Sequence, residues 1–369
     1  MMRSIIQRIA TGPELSKDIS RDEARAGMRL ILDGEVDPVQ AGIFLIALRM
    51  KRETDDEMRG VLQAIRDATH SITVPVDEVV DIADPYDGFN RTLPASPFLP
   101  AVLAACGIAA VSHGVETMGP KYGVTHRQIL RAAGLPVDLS VADAAVRLGN
   151  PACGWAYVDQ QVFCPKLHQL AALRTLIVKR PAITTAEALV GALRGRRLTH
   201  LVTGYVHKAY PRIYALLARD AGFDSALLVR GVEGGVIPSL RQSGKAFQYH
   251  ARGDEHPVEF NPADWGGTQA LRAPQIPGAQ DANGDDAAAP FDHESVARAA
   301  VEAGLAALRG APGATRGALV CAGALCLWHL RRRDSLLAAA QAVREVLDNG
   351  AALAHFQHRI EPTPKTRTS

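Results

Sequence analysis

Residues 80–126 read VDIADPYDGFNRTLPASPFLPAVLAACGIAAVSHGVETMGPKYGVTH, and the fold turns on them. Residues 79–83 alternate as a strand end does, and a turn rich in Asp, Pro, Tyr and Gly follows at 84–88. An apolar run with helical spacing covers 97–106, and a second strand at 108–111 breaks into Ser112-His113-Gly114 and a loop ending Lys121-Tyr122-Gly123. Strand, loop, helix, strand, loop is one βαβ unit. Both loops then leave the carboxyl ends of parallel strands, the edge where open α/β sheets bind ligands.

Outward from this stretch, 369 residues are long for one core and predict two lobes. A formal net charge of +2 demands no polyanionic partner and leaves room for a local basic face. The five cysteines are an odd number without CxxC or zinc-knuckle spacing, which reads as reduced, buried thiols in a cytoplasmic protein. The start, MMRSIIQRIATG, lacks a signal-peptide core, and no segment approaches about 18 uninterrupted apolar residues, so neither export nor membrane insertion is expected.

Residues 1 to about 70 read as successive short helices. Ser20 with Glu23 and Thr54 with Glu57 have capping-box spacing, and Asp37-Pro38 places a cap before a first-turn proline. Ala41, Ile43, Phe44, Leu45 and Leu48 give the middle helix a wide apolar face. A helical pattern returns over 165–197, then βα units follow with glycine at the strand ends, Gly204 and Gly231. Residues 273–290 lack periodicity and read as a mobile surface loop, and the tail EPTPKTRTS reads as disordered.

The pattern ISRDEARAGMRLILDGEVDPVQAGIFLIALRMKRETDDEMRGVLQAI resembles the amino-terminal helical domain of anthranilate phosphoribosyltransferase and its glycosyltransferase family 3 relatives, which include pyrimidine and thymidine phosphorylases. The likeness continues through VDIADPYDGFN, AACGIAAVSHG, the GVEGG segment and the carboxyl-terminal LVCAGALCLWHLRRRDSLLAAAQAVREVLDNGAALAHF. It implies an α/β protein: a small helical domain (1–72, joined by part of 165–197) and a larger α/β domain with a mostly parallel sheet (73–164 and 198–358), followed by the tail 359–369. It also implies a homodimer through the helical lobe.

An enzyme that moves a pentose from a phosphorylated donor must hold an anion, through backbone amides, cations and Mg²⁺. The family's Gly-Thr-Gly-Gly-Asp-Gly loop stands here as Asp84-Pro85-Tyr86-Asp87-Gly88, where only Asp87-Gly88 matches, with a one-residue gap. Asp84 adds negative charge and Pro85 lacks an amide donor, so the loop as written repels pyrophosphate. Of the family's Asn-x-Ser-Thr only Ser96 remains, an anion donor or an ordinary helix cap. Ser112-His113-Gly114 stands for Lys-His-Gly, and Lys121 and Gly123 stand in the following loop as phosphate-binding candidates; a packed histidine and a solvated lysine are the competing readings. The acceptor side would carry Arg174 or Arg180 near Cys164-Pro165. The family's acidic metal pair is replaced around Glu233 by apolar residues, so no metal site is expected, and Mg²⁺ enters only if a phosphorylated substrate supplies ligands.

Two functions follow from the resemblance. One is a pentosyltransferase-type protein whose cleft binds a phosphorylated or anionic small molecule, with catalysis left open. The other is a non-enzymatic homodimer that binds nucleic acid through basic surface. Lys166, Arg174, Lys179, Arg180, Arg194, Arg196 and Arg197, with Arg331 to Arg333, are the cations for the second, against the plainer reading of a solvated helix face.

Overall fold

The computed structural model describes residues 1–12, 14–267, 270–277 and 291–358. Four helices open the chain: α1 (Met2–Ile9), α2 (Arg21–Leu32), α3 (Pro38–Lys51) and α4 (Asp55–Asp67). Their starts are where the caps put them. Ser20 and Thr54 each close a reciprocal capping box, and the Asp37 carboxylate accepts from the Val39 amide.

Beyond them lie β1 (Ile72–Thr73), β2 (Glu78–Ala83), α5 (Leu99–Ala105), β3 (Ala110–Gly114), α6 (His126–Ala132), α7 (Val141–Gly149) and β4 (Trp155–Asp159). Four short helices follow, α8 (Gln160–Phe163), α9 (Pro165–His168), α10 (Ala171–Ile177) and α11 (Ile183–Ala186). The chain then builds β5 (Leu193–Arg194), β6 (Leu198–Tyr205), α12 (Tyr210–Asp220), β7 (Ser225–Arg230), β8 (Gly244–Tyr249) and β9 (His256–Phe260). It ends on α13 (His293–Leu308), α14 (Ala314–His329), α15 (Leu336–Asp348) and α16 (Ala351–Gln357).

The main sheet runs β4-β3-β2-β6-β7-β8-β9. Its first five strands are parallel, and β8 and β9 are antiparallel additions. Alternation along each strand divides the core in two. Val79, Ala83 and Val111 pack with the helical lobe and α12, whereas Val80, Ile82 and Ala110 pack with α5, α6 and the last four helices.

Two element readings differ from expectation. The second strand of the opening βαβ unit starts later and runs through Ser112, His113 and Gly114, because pairing with β4 carries it as far as Gly114 opposite Asp159. Leu193 lies in a strand rather than a helix: Gly191 turns the chain at φ +60°, and β5 pairs in parallel with β1. Those two strands lie on the chain's two passages between the helical part and the main sheet. All five cysteines are free, and among the described residues no helix is long and apolar enough to cross a membrane. The loop reading over 273–290 falls largely, and the tail reading wholly, outside the described residues.

Candidate functional site

The carboxyl ends of β2 and β3 bring three polar side chains together on the face toward the helical lobe. Asp81 and His113 lie at alternate positions with Val79, Ala83 and Val111, and so share that face. His113 Nε2 stands 2.7 Å from Asp81 Oδ1, and Tyr86 Oη 2.6 Å from His113 Nδ1. The carboxylate only accepts, so Nε2 donates to Asp81, and the tautomer this selects accepts a hydrogen bond from the Tyr86 hydroxyl at Nδ1. Burial raises the Tyr86 pKa well above its ordinary value, helped by Glu187 and Asp81, which keeps the donor protonated. Tyr86 also packs on Val115, Met118, Ala171 and Ala188, so its ring lies between the sheet loops and the 165–190 segment.

Asp84 behaves differently from its sequence reading. Its Oδ2 accepts from Ser96 Oγ and from His126 Nε2 at 2.8 Å, and its Oδ1 from the Val236 amide at 2.8 Å. Burial opposes its charge, yet the bonds from His126, Ser96 and Val236 outweigh that and leave its pKa lowered. The negative charge therefore faces inward and joins three loops; it does not face solvent to repel an anion. Ser96 spends its hydroxyl on Asp84 and makes no cap bond to the turn that follows it.

The glycines of the two loops serve each other. Gly88 has φ +72°, and a Cβ there would lie 2.5 Å from the Gly123 carbonyl oxygen; one on Gly123 would lie 2.4 Å from the Phe89 backbone. Paired bonds between Phe89 and Val124, 2.8 and 2.9 Å, lock the loops side by side. Missing side chains here admit a neighbouring backbone rather than phosphate oxygens.

Asp87 accepts from Arg180 at 2.5 and 3.1 Å, with Lys121 Nζ 3.7 Å away. Lys121 also reaches Glu233 at 3.4 Å and lies over the Phe89 ring. Glu233 takes the Asn90 and Arg91 amides at 3.1 Å each and Thr92 Oγ1 at 2.8 Å. Its backbone is left-handed, φ +53°, an uncommon state for a residue with a Cβ.

The remaining candidates are placed as follows. Ser112 is fully buried, its hydroxyl without a partner, and Gly114 lies against Tyr157. Arg174 is no surface cation: it is buried in a two-bond pair with Glu187 at 2.5 and 2.8 Å. Arg194 is likewise spent, stacked 4.3 Å over Phe223 and bonded to the Val190, Gly191 and Ala221 carbonyls. Lys166 pairs with Asp33, Arg197 with Asp77 and Arg332 with Glu78. Lys179 and Arg196 stay exposed with no carboxylate at ion-pair distance among the described residues. Between Phe89, Ser96 and Gly235 the free space is about 20 Å³, room for one water. A hollow of about 260 Å³ opens elsewhere, between Leu93, Pro274, α13 and the start of α14, and no expected site residue lines it.

The comparisons with known proteins fit this architecture. Residues 3–69 match the helical bundle domain of the glycosyl transferase family. The uncharacterized protein YbiB of Escherichia coli is 30% identical over 236 residues, 63% of this chain and 72% of that one. The chain belongs to the anthranilate phosphoribosyltransferase-like family. The anthranilate phosphoribosyltransferase of Rhodopseudomonas palustris is 27% identical over 97% of both chains. A solved structure of the Saccharomyces cerevisiae enzyme, in complex with PRPP and Mg, superposes with a TM-score of 0.73 over 96% of this chain and 95% of that one; at 14% identity it speaks for the fold.

Mg²⁺, which this family's chemistry implies, does not suit the residues present. Glu233 is the loop's lone acid, flanked by Gly234, Gly235 and Val236, and both its oxygens already accept from protein donors. Among the described residues no group of three metal-ligating side chains converges. Sequence reasoning missed Tyr86, His126, the Asn90 and Arg91 amides and the Thr92 hydroxyl as parts of the site. A family motif directs attention to its own positions, and the substitutes lie between them. Asp84 was the available signal, since a carboxylate in an otherwise buried loop must find donors.

Proposed function

We propose that this chain is a non-catalysing member of its family that binds the phosphate backbone of nucleic acid on the carboxyl edge of its sheet, as a homodimer. One observation carries the reading: four carboxylates of the strand ends and their loops are turned inward, and unspent basic side chains stand exposed on loops of that edge. Asp81, Asp84, Asp87 and Glu233 are spent on protein donors. Lys179, Lys208, Arg230 and Arg241 are exposed on the loops of the same edge. Cations arranged this way contact phosphates without reading bases. A whole phosphorylated sugar, the other function implied by the resemblance, meets only about 20 Å³ of free space between Phe89, Ser96 and Gly235.

Support for the dimer comes from the helical lobe. Val39, Ile43, Ile46 and Met50 recur on one side of α3 at spacings of four, three and four, and Val39 and Met50 are 69% and 72% exposed. Leu176, 80% exposed on neighbouring α10, widens the patch. Such a contiguous apolar face suits burial against a second copy.

The test is a titration of single-stranded DNA at two salt concentrations beside phosphoribosyl pyrophosphate with and without Mg²⁺. With about four phosphate contacts, DNA affinity drops about 50-fold from about 50 to 200 mM salt. Replacing Lys179, Lys208, Arg230 and Arg241 together by glutamate removes it. Absent or salt-insensitive DNA binding, or tight Mg²⁺-dependent binding of the sugar pyrophosphate, defeats the proposal.

A further inference from the structure

The donors around Glu233 form a compact set. Two successive backbone amides, a hydroxyl and an ammonium converge on one carboxylate: Asn90 N and Lys121 Nζ on Oε2, Arg91 N and Thr92 Oγ1 on Oε1. Consecutive amides aimed at one point make an anion-binding concavity, and a cation beside them selects negative charge. Two oxygens of a phosphate have nearly the spacing of the two oxygens of a carboxylate. The carboxylate that fills the set belongs to a loop whose backbone is strained at that residue, with Gly231, Gly234 and Gly235 around it. Nothing about the local chain favours Glu at φ +53°, where glycine or asparagine is the easier choice. The contact is thus one the tertiary structure holds against local preference.

We propose that the Asn90–Thr92 segment and Lys121 constitute a phosphate-sized oxyanion site, that Glu233 occupies it as an internal ligand, and that a phosphomonoester enters when the Glu233 side chain swings out. The site requires no metal, since its positive charge comes from Lys121 and the amides. It is separate from the exposed cations of the same edge, which meet phosphates at the surface. Glu233 therefore sets the affinity: an external anion competes with a carboxylate tethered at high effective concentration.

The experiment uses the full chain with Glu233→Gly, which suits the left-handed backbone, and Glu233→Gln, which keeps the side-chain shape without its charge. Inorganic phosphate is the probe, read by equilibrium dialysis and by the rise in Tm with phosphate concentration. Losing the internal competitor raises phosphate affinity at least about tenfold over the parent, as expected when charge-assisted bonds become available. Adding Lys121→Met abolishes the gain. A 5′-phosphorylated oligonucleotide against its 5′-hydroxyl form then separates the sources: preference for the phosphorylated end assigns the site to a polymer terminus, and equal binding assigns it to a free phosphate. A folded Glu233→Gly chain, or Glu233→Gln should the first not fold, with no gain in phosphate affinity overturns the proposal, as does a gain that survives Lys121→Met. Because inorganic phosphate is the primary probe, this outcome is independent of whether the parent chain binds DNA.

Discussion

The Tyr86 hydroxyl donates to His113 Nδ1 across 2.6 Å, and through that one bond the β2 loop is fastened to the end of β3 beneath the 165–190 segment. His113 passes the connection on to Asp81 at 2.7 Å. Tyr86 is thereby a structural pin of the loop that stands for the family's glycine-rich one, and its removal should be felt as lost stability.

Tyr86→Phe keeps the ring and leaves His113 Nδ1 without a donor, which costs about 1–2 kcal/mol. Tyr86→Ala also empties the space against Val115 and Met118 and costs about 3–5 kcal/mol. Urea unfolding of the two variants checks the order. Equal stabilities would show that the hydroxyl, and not the ring, carries the contact.

Arg174 and Glu187 are each almost wholly enclosed and bonded to one another. Arg174→Met strands the Glu187 charge and destabilises by about 3–5 kcal/mol, while Arg174→Met with Glu187→Leu recovers most of the loss. The double-mutant cycle, measured by denaturant unfolding, reads the coupling directly. An Arg174 variant of unchanged stability would return this residue to the list of ligand-binding cations.

At the opposite, amino edge of the sheet, His200, Ser225, His329 and Gln248 form a hydrogen-bonded chain, with His250 stacked on His329. Burial pushes His200 down to about 4, against the pull of Asp224 and although Glu78 lies 2.9 Å from Nε2. Burial also lowers His329, with His250 and Arg331 adding to it. These imidazoles take protons less readily folded than unfolded, so between pH 6.5 and about 4 the unfolded chain binds more protons. Stability is full above about pH 7 and falls with acidification through this window, by about 1–3 kcal/mol for His200, with His329 acting in the same direction. Denaturant midpoints from pH 7.5 to 4.5 test this, and His200→Gln should flatten the slope.

Ile43→Asp on α3 places a charge in the middle of the exposed apolar stripe, and Met50→Lys does so at its end. If a second copy covers that face, sedimentation velocity shows a dimer for the parent and a monomer for Ile43→Asp, with little change in the Tm of the monomeric unit. A parent chain that sediments as a monomer at micromolar concentration would remove the dimer from the proposal.

Several parts of this architecture were open to reading before any coordinates. The helix starts at Ser20, Asp37 and Thr54 followed from bonds made within three residues of chain. The βαβ order of the sheet followed from hydrophobic period and glycine placement. The extent of β3 did not, because its last residues are strand only through pairing with β4, forty-odd residues further on. Arg174 and Asp84 were misjudged for the same reason: Glu187 and Val236, their partners, lie outside any local window.

The amino-acid sequence by itself determined the helical lobe and the parallel sheet with its loops at one edge, since caps, periodicity and strand-end glycines act over a few residues at a time; the family followed from the likeness of whole segments. Only the tertiary structure decided what those loops do. Whether a carboxylate repels an anion or replaces one depends on which donors the fold carries to it across a hundred residues or more, as it carries the Asn90 and Arg91 amides to Glu233.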